Sequence, residues 1–254
     1  MDMRASFARD LRARKIIAGT FIKSNDPAVV EILGHAGFDF AILDAEHAAF
    51  DRADVALMAL AARAARLPLM VRIPEATGTW IATVLDAGCA GVMVPQVKNA
   101  AAARDLVGLM RYGPDGMGFS PSTPGAEYGT RGIALHLERQ PEETVLICQI
   151  EEPGAVEEAG KIAAVSGVDG VLVGPVDLAV SIGSHDPASD AVTALCRQAI
   201  SAGVAAQKAA GLFLTDLSKR ADWQKSGATV FVLGSDQAYL MRAAKAALDS
   251  FKSG

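Results

Sequence analysis

Polar side chains follow four hydrophobic segments of this sequence, at the points where the segments end. They are Asp44, Glu46 and His47 after FAIL, Arg72 within LMVRIP, Glu151 after VLICQI, and Asp177 after GVLVGP. Acids and bases at the ends of apolar strands need partners, because burying an unpaired charge is costly. If the strands close into one barrel, these side chains meet at one rim. The pattern predicts an active site, and we favour metal-assisted chemistry as its purpose.

Two of the carboxylates are candidate metal ligands. Glu151 directly follows one strand, and Asp177 lies three residues beyond the next. Hard cations such as Mg²⁺ and Mn²⁺ prefer oxygen ligands and keep positions open for water or substrate. The alternative is that one carboxylate caps a helix and the other is a surface charge. A zinc site is disfavoured, since no cysteine follows a strand and the histidines lack metal-ligand spacing.

A base and a cation complete the candidate site. His47 is a candidate general base, and Asp44, three residues earlier, is placed to orient its ring. The alternative for His47 is a plain surface residue. Arg72 sits on a strand, where a guanidinium must pair with a carboxylate or a substrate oxyanion. A structural ion pair with Glu46 or Asp44 is the alternative for Arg72.

The segment between the sixth strand and Asp177 offers backbone donors. Pro175 has no N–H, but the N–H groups of Val176 and Asp177 follow Gly174 and Pro175 directly. Successive backbone N–H groups can form a small concavity for an anion. The pattern is consistent with binding of a substrate carboxylate.

The elements that must position these residues are short apolar runs separated by alanine-rich segments of helical length. Apolar runs without polar alternation indicate strands covered on both faces, as in a parallel sheet coated by helices. The eight predicted strands are 16–22, 40–44, 69–73, 91–95, 145–150, 170–174, 210–214 and 229–234. The predicted helices are one that begins near Pro27 and those over 53–65, 77–87, 99–110, 153–164, 189–206, 216–226 and 236–251. We predict a (β/α)₈ barrel in a single domain over residues 1–254.

An open doubly wound sheet is the main rival to the barrel. Its usual marker is a glycine-rich phosphate loop after the first strand, whereas here KSNDPAVVEILGHAG follows that strand. One interval departs from the repeat. The segment between Pro95 and Val145 is about twice the usual length and contains many Gly, Pro and Ser residues. Long insertions after a barrel strand often lie over the active site, so a mobile cover is one interpretation and a plain surface loop is the other.

Composition excludes several classes of partner. The chain has 254 residues, 51% of them hydrophobic, and a formal net charge of −5, with no basic run that would attract nucleic acid or a membrane surface. Cys89, Cys148 and Cys196 are odd in number, widely spaced and in apolar surroundings, which predicts reduced core thiols. Neither a signal peptide nor a membrane span is predicted, and a cytoplasmic location is expected.

Taken together, these segments resemble the HpcH/HpaI family of metal-dependent aldolases, relatives of the phosphoenolpyruvate/pyruvate barrel superfamily. The resemblance runs from AGTFIKSNDPAVVEILGHAGFDFAILDAEH through GVMVPQVKNA and QIEEPGAVEE to VDGVLVGPVDLAVSIG. It implies that Glu151 and Asp177 bind a divalent metal ion, Mg²⁺, Mn²⁺ or Co²⁺, with no organic cofactor. It further implies that His47, assisted by Asp44, moves protons and that Arg72 stabilises an enolate.

The resemblance also implies supporting residues. The expected substrate-binding residues are Gln149, Gly174, Val176, Asp177 and Leu212. Glu46 is expected to support the site. Asp86, in VLDAG, resembles a residue that enters the water network of an adjoining subunit. A homo-oligomer, trimer or hexamer, is expected, in which the helix over 236–251 is exchanged between neighbours. An apolar last helix packed on its own barrel is the alternative.

The long loop departs from the family pattern P-P-x-G-x-R-G. This chain has Gly113-Pro114-Asp115-Gly116-Met117-Gly118, without the arginine or the first proline. Whatever that arginine contributes to loop order or substrate contact is missing here, so this departure bears on substrate preference rather than on the metal site. Phe119, Ser120, Ser122 and Thr123 are candidates for shaping the pocket of the second substrate.

The expected reaction is cleavage of a 4-hydroxy-2-oxo acid to pyruvate, or hydroxypyruvate, and an aldehyde, and the reverse addition through an enolate. Three alternatives stay open. A Schiff-base aldolase needs a lysine among apolar neighbours at a strand end. Lys23 and Lys98 follow strands one and four, but their sequence neighbours are polar. A CoA-ester lyase of the same superfamily keeps the enolate and changes its partner. A noncatalytic barrel that binds metal and keto acid is the third.

Overall fold

Eight parallel strands close into one barrel in the order of the sequence. The structure, a computed structural model, describes residues 2–114, 116–214 and 216–253. Asp115 of the loop motif and both terminal residues of the predicted domain lie outside this description. The (β/α)₈ barrel predicted from the sequence is confirmed.

The strands match the predicted runs to within one residue at each end. Their bounds are β1 Ile17–Ile22, β2 Phe40–Asp44, β3 Leu69–Arg72, β4 Gly91–Val94, β5 Val145–Ile150, β6 Gly170–Val173, β7 Ala209–Phe213 and β8 Val230–Ser235. The helices are α1 Met3–Arg12, α2 Pro27–His35, α3 Arg52–Ala65, α4 Gly78–Asp86, α5 Ala100–Leu109, α6 Ile133–Glu143, α7 Pro153–Ala163, α8 Pro175–Ser181, α9 Asp190–Ala205, α10 Arg220–Lys225 and α11 Asp236–Ser253. Short 3₁₀ helices span Pro124–Gly129 and Leu217–Lys219. The sequence patterns had not predicted α1, α6 and α8.

Local sequence explains where several helices begin. The side chain of Asp26 accepts a hydrogen bond from Ala28 N–H, and Pro27 follows in the first turn of α2. Asp51 and Asp54 form a reciprocal capping box at the start of α3. Such caps satisfy N–H groups that have no partner within the helix. The helix starts are therefore fixed immediately after the loops that leave the strand ends.

Side chains of the strands alternate between two apolar layers. One layer fills the barrel interior and includes Phe21, Phe40, Ile42, Met70 and Leu172. The larger layer lies between the sheet and the helices. Because successive strand residues face opposite sides, the inward positions continue at the strand ends. Asp44 on β2 and Arg72 on β3 are partners in the parallel register and follow the inward residues Ile42 and Met70.

Helix α1 covers the amino end of the barrel, opposite the candidate site. Arg12 donates hydrogen bonds to the carbonyl of Thr144 and to Asp169, residues that directly precede β5 and β6. Arg4, which lies about two helical turns before Arg12 in α1, donates a hydrogen bond to the carboxylate of Glu143. The amino ends of β5 and β6 therefore lie under this helix.

The long insertion lies at this same amino end and does not cover the rim. It follows α5, which returns the chain from the carboxyl end of β4, and Arg4 of α1 contacts the carbonyl of Gly125 within it. The interpretation of a mobile cover over the active site is therefore wrong for the described part of the segment. The proposed role of Phe119, Ser120, Ser122 and Thr123 in shaping the pocket loses its geometric basis, because none of them lines the rim pocket.

The last helix is largely exposed. Within α11 only Asp236 is buried, and four large apolar side chains are exposed: Leu240, Met241, Leu248 and Phe251. Among the described residues, no helix is long and apolar enough to span a membrane. The three cysteines are buried and not bonded to one another, as predicted.

Candidate active site at the carboxyl ends of the strands

Arg72 is held by two acids at the rim. Its Nε and Nη2 donate to the two oxygens of Asp44 at 2.9 and 2.7 Å, and its Nη1 lies 3.2 Å from Oε2 of Glu46. The guanidinium also lies over the ring of Phe21, 4.6 Å from its centroid. Both ion pairs named as alternatives for Arg72 are thus present together. Paired and stacked in this way, the cation stays fixed at the floor of the pocket.

Asp44 is fully buried and carries a charge because cations surround it. Burial opposes ionisation, but the hydrogen bonds and charges of Arg72 and Lys23 outweigh it and lower the pKa of Asp44 below its ordinary value. Lys23 Nζ lies 3.1 Å from Oδ2 of Asp44. The register places Asp44 beside Arg72 on the neighbouring strand. This carboxylate therefore serves mainly to anchor the cations.

His47 sits in the pocket wall, but its link to Asp44 differs from the expected one. Asp44 Oδ1 accepts a hydrogen bond from the backbone N–H of His47, at 3.2 Å. The ring faces Glu46 instead, with Nε2 3.7 Å from Oε2. The His47 side chain is 53% exposed. Asp44 thus shapes the turn that carries His47, and the expected orienting contact with the ring is replaced by the proximity of Glu46.

The two predicted metal ligands face one small space beside Gly174. A Cβ placed on Gly174 would lie 3.0 Å from Oδ2 of Asp177 and 3.3 Å from Oε1 of Glu151. Both carboxylates therefore approach the same point, which the absence of a side chain at residue 174 leaves open. A side chain at this position would crowd both carboxylates, which would have to shift by a few tenths of an ångström. The close approach explains why glycine occupies the exit of β6.

Glu151 is fixed by hydrogen bonds to both of its oxygens. Gln149 Nε2 donates to Oε1 at 2.9 Å, and the backbone N–H of Gln96 donates to Oε2 at 2.8 Å. Gln96 adopts a left-handed conformation with φ of 53°, which is uncommon for a residue with a side chain. Its N–H reaches Glu151 from the neighbouring strand exit. Sequence patterns had given no signal for Gln96, because the contact depends on its backbone.

The acids on this side of the pocket repel one another. Burial, together with the charges of Asp177 and Glu46, raises the pKa of Glu151 to about 7, against the opposing hydrogen bond from Gln96 and the charge of Arg72. Burial and the charges of Asp44 and Asp177 likewise raise the pKa of Glu46, although Arg72 opposes this. Of these two acids, Glu46 is paired with Arg72, whereas Glu151 has no ion pair among the described residues.

A pocket of about 260 Å³ connects these groups. Of the predicted residues it is lined by His47, Arg72, Gln149, Gly174, Val176 and Asp177. It is also lined by Phe21, Lys23, Leu172, Pro175, Phe213 and Ser235, which were not predicted as site residues. Several of these occupy inward strand positions. Counting back by two from the predicted rim residue Gly174 would have identified Leu172.

Leu212 is a correction to the predicted substrate-binding set. It lies in the apolar layer between the sheet and the helices, and it lines a separate cavity of about 250 Å³ that also contains Cys196 and Trp223. Its neighbour Phe213 faces the barrel interior and the rim pocket. The predicted residue is one position away from the residue that lines the rim pocket. Successive residues of a strand point to opposite faces of the sheet, so this difference of one residue changes the face.

Asp86 lies outside the rim pocket of its own chain. It ends α4 and lines a surface pocket with Arg52, Thr83 and Pro124. Burial raises the pKa of this carboxyl, against a hydrogen bond with Thr123 and the charge of Arg52. The expected contact with the water network of an adjoining subunit stays a prediction.

Asp236 is a further residue that the sequence patterns did not identify. Its carboxylate accepts hydrogen bonds from the N–H groups of Lys23 and Ser24, both at 2.9 Å, and it is the only buried residue of the described part of α11. The start of α11 therefore fixes the loop that leaves β1. That loop carries Lys23 into the pocket.

The donor set fits a hard divalent cation. Glu151 and Asp177 offer oxygen ligands around one point, and their mutual repulsion would be relieved by a positive charge. Among the described residues no three His, Cys, Asp or Glu side chains are grouped as a metal cluster. Two carboxylates leave the remaining positions to water and substrate oxygens, as Mg²⁺ and Mn²⁺ sites commonly do.

Comparison with known proteins decides the family. Residues 18–243 match the family model described as HpcH/HpaI aldolase/citrate lyase. This chain belongs to that family. The family comprises class II aldolases, which generally depend on a divalent metal ion. The resemblance to this family that the sequence segments indicated is confirmed.

Individual relatives cover nearly the whole chain. A protein of Roseovarius nubinhibens named hydroxypyruvate/pyruvate aldolase is 31% identical, over 98% of this chain and 97% of its own length. A 5-keto-4-deoxy-D-glucarate aldolase of Klebsiella pneumoniae is 32% identical, over 97% of this chain and 96% of its own. The crystal structure of a family member from Burkholderia cenocepacia superposes with a TM-score of 0.91 at 30% identity, covering 98% of this chain and 99% of that one.

Proposed function

We propose that this chain is a class II aldolase that cleaves 4-hydroxy-2-oxo acids to pyruvate or hydroxypyruvate and an aldehyde, and catalyses the reverse addition. The names of its relatives support the lyase activity. The observation that carries the proposal is the arrangement of the rim pocket. Asp177 lines this pocket together with the guanidinium of Arg72, which Asp44 holds, and Glu151 approaches Asp177 beside Gly174. Neither Glu151 nor Asp177 has an ion pair among the described residues.

Glu151 and Asp177 are the residues that would hold the metal ion, Mg²⁺, Mn²⁺ or Co²⁺. A divalent ion there would supply positive charge that polarises the 2-oxo group of the substrate. Gln96 and Gln149 keep Glu151 in place through its two oxygens. The remaining oxygen of Gln149, Oε1, is buried and has no described partner. It is available as an acceptor for a polar group of the substrate.

Arg72 provides fixed positive charge for the oxygen that becomes negative. Removing a proton from C3 of pyruvate places charge on the C2 oxygen, and a cation already held in position stabilises that charge without rearranging. Asp44 keeps Arg72 in position with two hydrogen bonds. The adjacent Phe21 ring covers one face of the guanidinium.

His47 is the proposed group for proton movement at Nε2. In the addition direction, the C3–H bond of pyruvate breaks, a bond forms between C3 and the aldehyde carbon, and the aldehyde oxygen gains a proton. Cleavage reverses each step, so no oxidant or reductant is required. His47 lines the pocket and is partly exposed, which allows it to exchange protons with solvent or through a bound water.

The lysines do not fit the Schiff-base alternative. Such a lysine must be a neutral amine among apolar neighbours. Lys23 is ion-paired with Asp44, and Lys98 is 62% exposed beside Glu152. The CoA-ester lyase and the noncatalytic barrel gain no specific support from a described contact.

We also propose a homo-oligomer, a trimer or hexamer, in which α11 packs on a neighbouring subunit. The exposed apolar side chains of α11 support this, because Leu240, Met241 and Phe251 are each at least 70% exposed on one helix. A cytoplasmic location remains a prediction. Sedimentation of the full chain and of the variant L240D/F251D would test the assembly, with dissociation expected for the variant.

Proton exchange of pyruvate tests the activity. EDTA-treated enzyme should leave the methyl protons unexchanged in D₂O, and added Mg²⁺, Mn²⁺ or Co²⁺ should start the exchange, as followed by NMR. The same preparation should form a 4-hydroxy-2-oxo acid from pyruvate and an aldehyde. Absence of exchange with all three metals contradicts the proposal. Trapping of pyruvate by borohydride would favour the Schiff-base route, and turnover of acyl-CoA alone would favour the CoA-ester lyase.

A further inference from the structure

A second pocket, of about 480 Å³, lies at the amino end of the barrel, opposite the rim. It is bounded by α1, α3, α6 and the 3₁₀ helix Pro124–Gly129. Two acids, Asp2 and Glu127, line it together with five arginines: Arg4, Arg63, Arg66, Arg131 and Arg139. We call it the arginine pocket. Its lining is basic, although the chain as a whole has a formal net charge of −5.

Two of these arginines are already neutralised by acids. Nη2 of Arg4 donates to Asp2 at 3.0 Å and to Glu143 at 2.9 Å. Arg131 donates to the same oxygen of Glu143 at 2.6 Å, and it also donates to Glu127. Both acids that line the pocket are therefore engaged by Arg4 or Arg131.

The other three arginines have no carboxylate partner among the described residues. Arg63 is partly buried, and its Nη1 donates to the carbonyl of Ala87 at 2.7 Å, which fixes the guanidinium in the pocket wall. The side chains of Arg66 and Arg139 are exposed and have no described hydrogen bond or ion pair. Each guanidinium carries five N–H donors. The pocket therefore offers donors and positive charge to an anion that the described chain does not supply.

The backbone beside Arg63 leaves room for a ligand. Gly88 lines the same pocket and has a left-handed φ of 83°, a conformation that favours glycine. A Cβ on this residue would lie 3.2 Å from Nη1 of Arg63. The bare backbone of Gly88 thus keeps the space next to this guanidinium open.

Arg66 occupies a position where a side chain is unusual. It follows α3 in the left-handed region, with φ of 55°, and helices that end in this conformation most often carry glycine there. A residue with a side chain pays a conformational cost at such a position, and costs of this kind are often retained where the side chain has a use. Here the side chain lines the arginine pocket.

We propose that the arginine pocket binds a small anion that carries several negative charges on oxygen atoms, either a pyrophosphate group or a polycarboxylate. Guanidiniums pair with phosphate and carboxylate oxygens through short, charge-assisted hydrogen bonds. Arg63 and Arg66 belong to the end of α3 and Arg139 to α6, so a ligand bound by all three joins these two helices. The bound anion therefore stabilises the folded chain. This site is independent of the proposed aldolase function.

Calorimetric titration of the full chain in metal-free buffer tests the proposal. Pyrophosphate and citrate are the two probes, and NaCl keeps the ionic strength constant so that general screening does not change. At least one probe should bind and raise the midpoint of thermal unfolding. Arg66→Gln/Arg139→Gln should weaken this binding by about tenfold or more, as expected for lost hydrogen bonds to charged groups. Both side chains are exposed, so the variant should fold, which circular dichroism checks.

Two variants outside the arginine pocket serve as controls. Arg104→Gln makes the same change of charge at an exposed position of α5 that does not line the pocket, so the affinity should be unchanged. Lys23→Met reports any binding of the probe at the rim, and here too the affinity should be unchanged. Pyruvate proton exchange by Arg66→Gln/Arg139→Gln should match the wild type, because both residues lie at the opposite end of the barrel.

The relative affinities of pyrophosphate and citrate show which class of oxyanion the site prefers. Failure of the wild-type chain to bind either probe overturns the proposal. An equal loss of affinity in Arg104→Gln also overturns it, since that would show attraction to the general surface charge. A loss confined to Lys23→Met would place the anion at the rim instead. If neither probe binds and Arg66→Gln/Arg139→Gln dissociates in sedimentation, the arginines bind a second copy of the chain.

Discussion

The two ends of the barrel both bury charged side chains, but only one end leaves its acids without compensation. At the amino end, Oε2 of Glu143 accepts hydrogen bonds from Arg4 at 2.9 Å and from Arg131 at 2.6 Å. We call these three residues the base network. At the carboxyl end, Glu151 and Asp177, the rim pair, face one point beside Gly174, and burial and repulsion raise the pKa of Glu151 to about 7.

The difference separates stability from binding. A buried carboxylate held by two guanidiniums is already neutralised, so the base network has no need of a ligand. The rim pair would gain from a cation, and its hydrogen bonds to Gln96 and Gln149 fix it without neutralising it. Substitutions at the base network should therefore affect unfolding, whereas substitutions at the rim should affect metal binding and turnover.

The largest effect is expected at the base network. Glu143→Gln leaves two buried guanidiniums without their shared anion and should lower the free energy of unfolding by about 3–5 kcal/mol. Urea denaturation measures this loss. The neighbouring Glu142→Gln is the control, because that side chain is exposed. Mn²⁺ affinity of folded Glu143→Gln should match the wild type. A large loss of metal affinity without a loss of stability would reverse the comparison.

Arg72→Ala should reduce pyruvate deuterium exchange by about 100- to 1000-fold, as for removal of one donor to a developing oxyanion. Mn²⁺ affinity, measured by calorimetry, should be retained, since Arg72 contacts Asp44 and Glu46 rather than the rim pair. Circular dichroism checks folding, and Arg72→Lys preserves a charge for Asp44 if the alanine variant is unstable. Unaltered exchange in both variants would defeat the role assigned to Arg72.

Glu151→Gln should weaken Mn²⁺ binding by about 100-fold, because the variant removes one of two anionic ligands and leaves the shape nearly unchanged. Glu152→Gln is the matched control. Glu152 follows directly but is 43% exposed and pairs distantly with Lys98. Calorimetric titration measures the Mn²⁺ affinity of both variants. Equal affinities would show that Glu151 is not a metal ligand.

The smallest effect concerns pH and the metal-free enzyme. The pKa of Glu151 rises from an ordinary 4.5 to about 7 on folding, so the folded state binds this proton more tightly than the unfolded state. The free energy of unfolding should therefore decline as pH rises between about 4.5 and 7. Glu151→Gln should flatten this decline in urea titrations with EDTA. If the free energy of unfolding of the two proteins depends on pH in the same way, the pKa of Glu151 is not raised in the folded state.

Much of the scaffold could be predicted from the sequence because apolar runs and turns repeat along it. The bounds of β2 and β5 were predicted as observed, and the rim position of Arg72 followed from its strand. Side-chain direction was harder to predict. Leu212 and Phe213 are adjacent in an apolar run, and nothing in their types shows which of them faces inward.

Other features depend on contacts that sequence spacing does not encode. Asp44 and His47 are three residues apart, yet the carboxylate turns to Arg72 on the neighbouring strand and meets only the backbone of His47. The hydrogen bond from Gln96 depends on a left-handed backbone conformation, and the presence of a glutamine does not predict that conformation. The position of the long insertion could have been inferred, because the predicted helix over 99–110 already returns the chain to the amino end.

Anomalous diffraction from crystals grown with Mn²⁺ and pyruvate tests the central claim most directly. The account predicts one strong peak beside Gly174, with carboxylate oxygens of both Glu151 and Asp177 about 2.1 Å away, a distance typical of small divalent cations. Ordered density for both carboxylates, with manganese bound elsewhere or to neither of them, would contradict it.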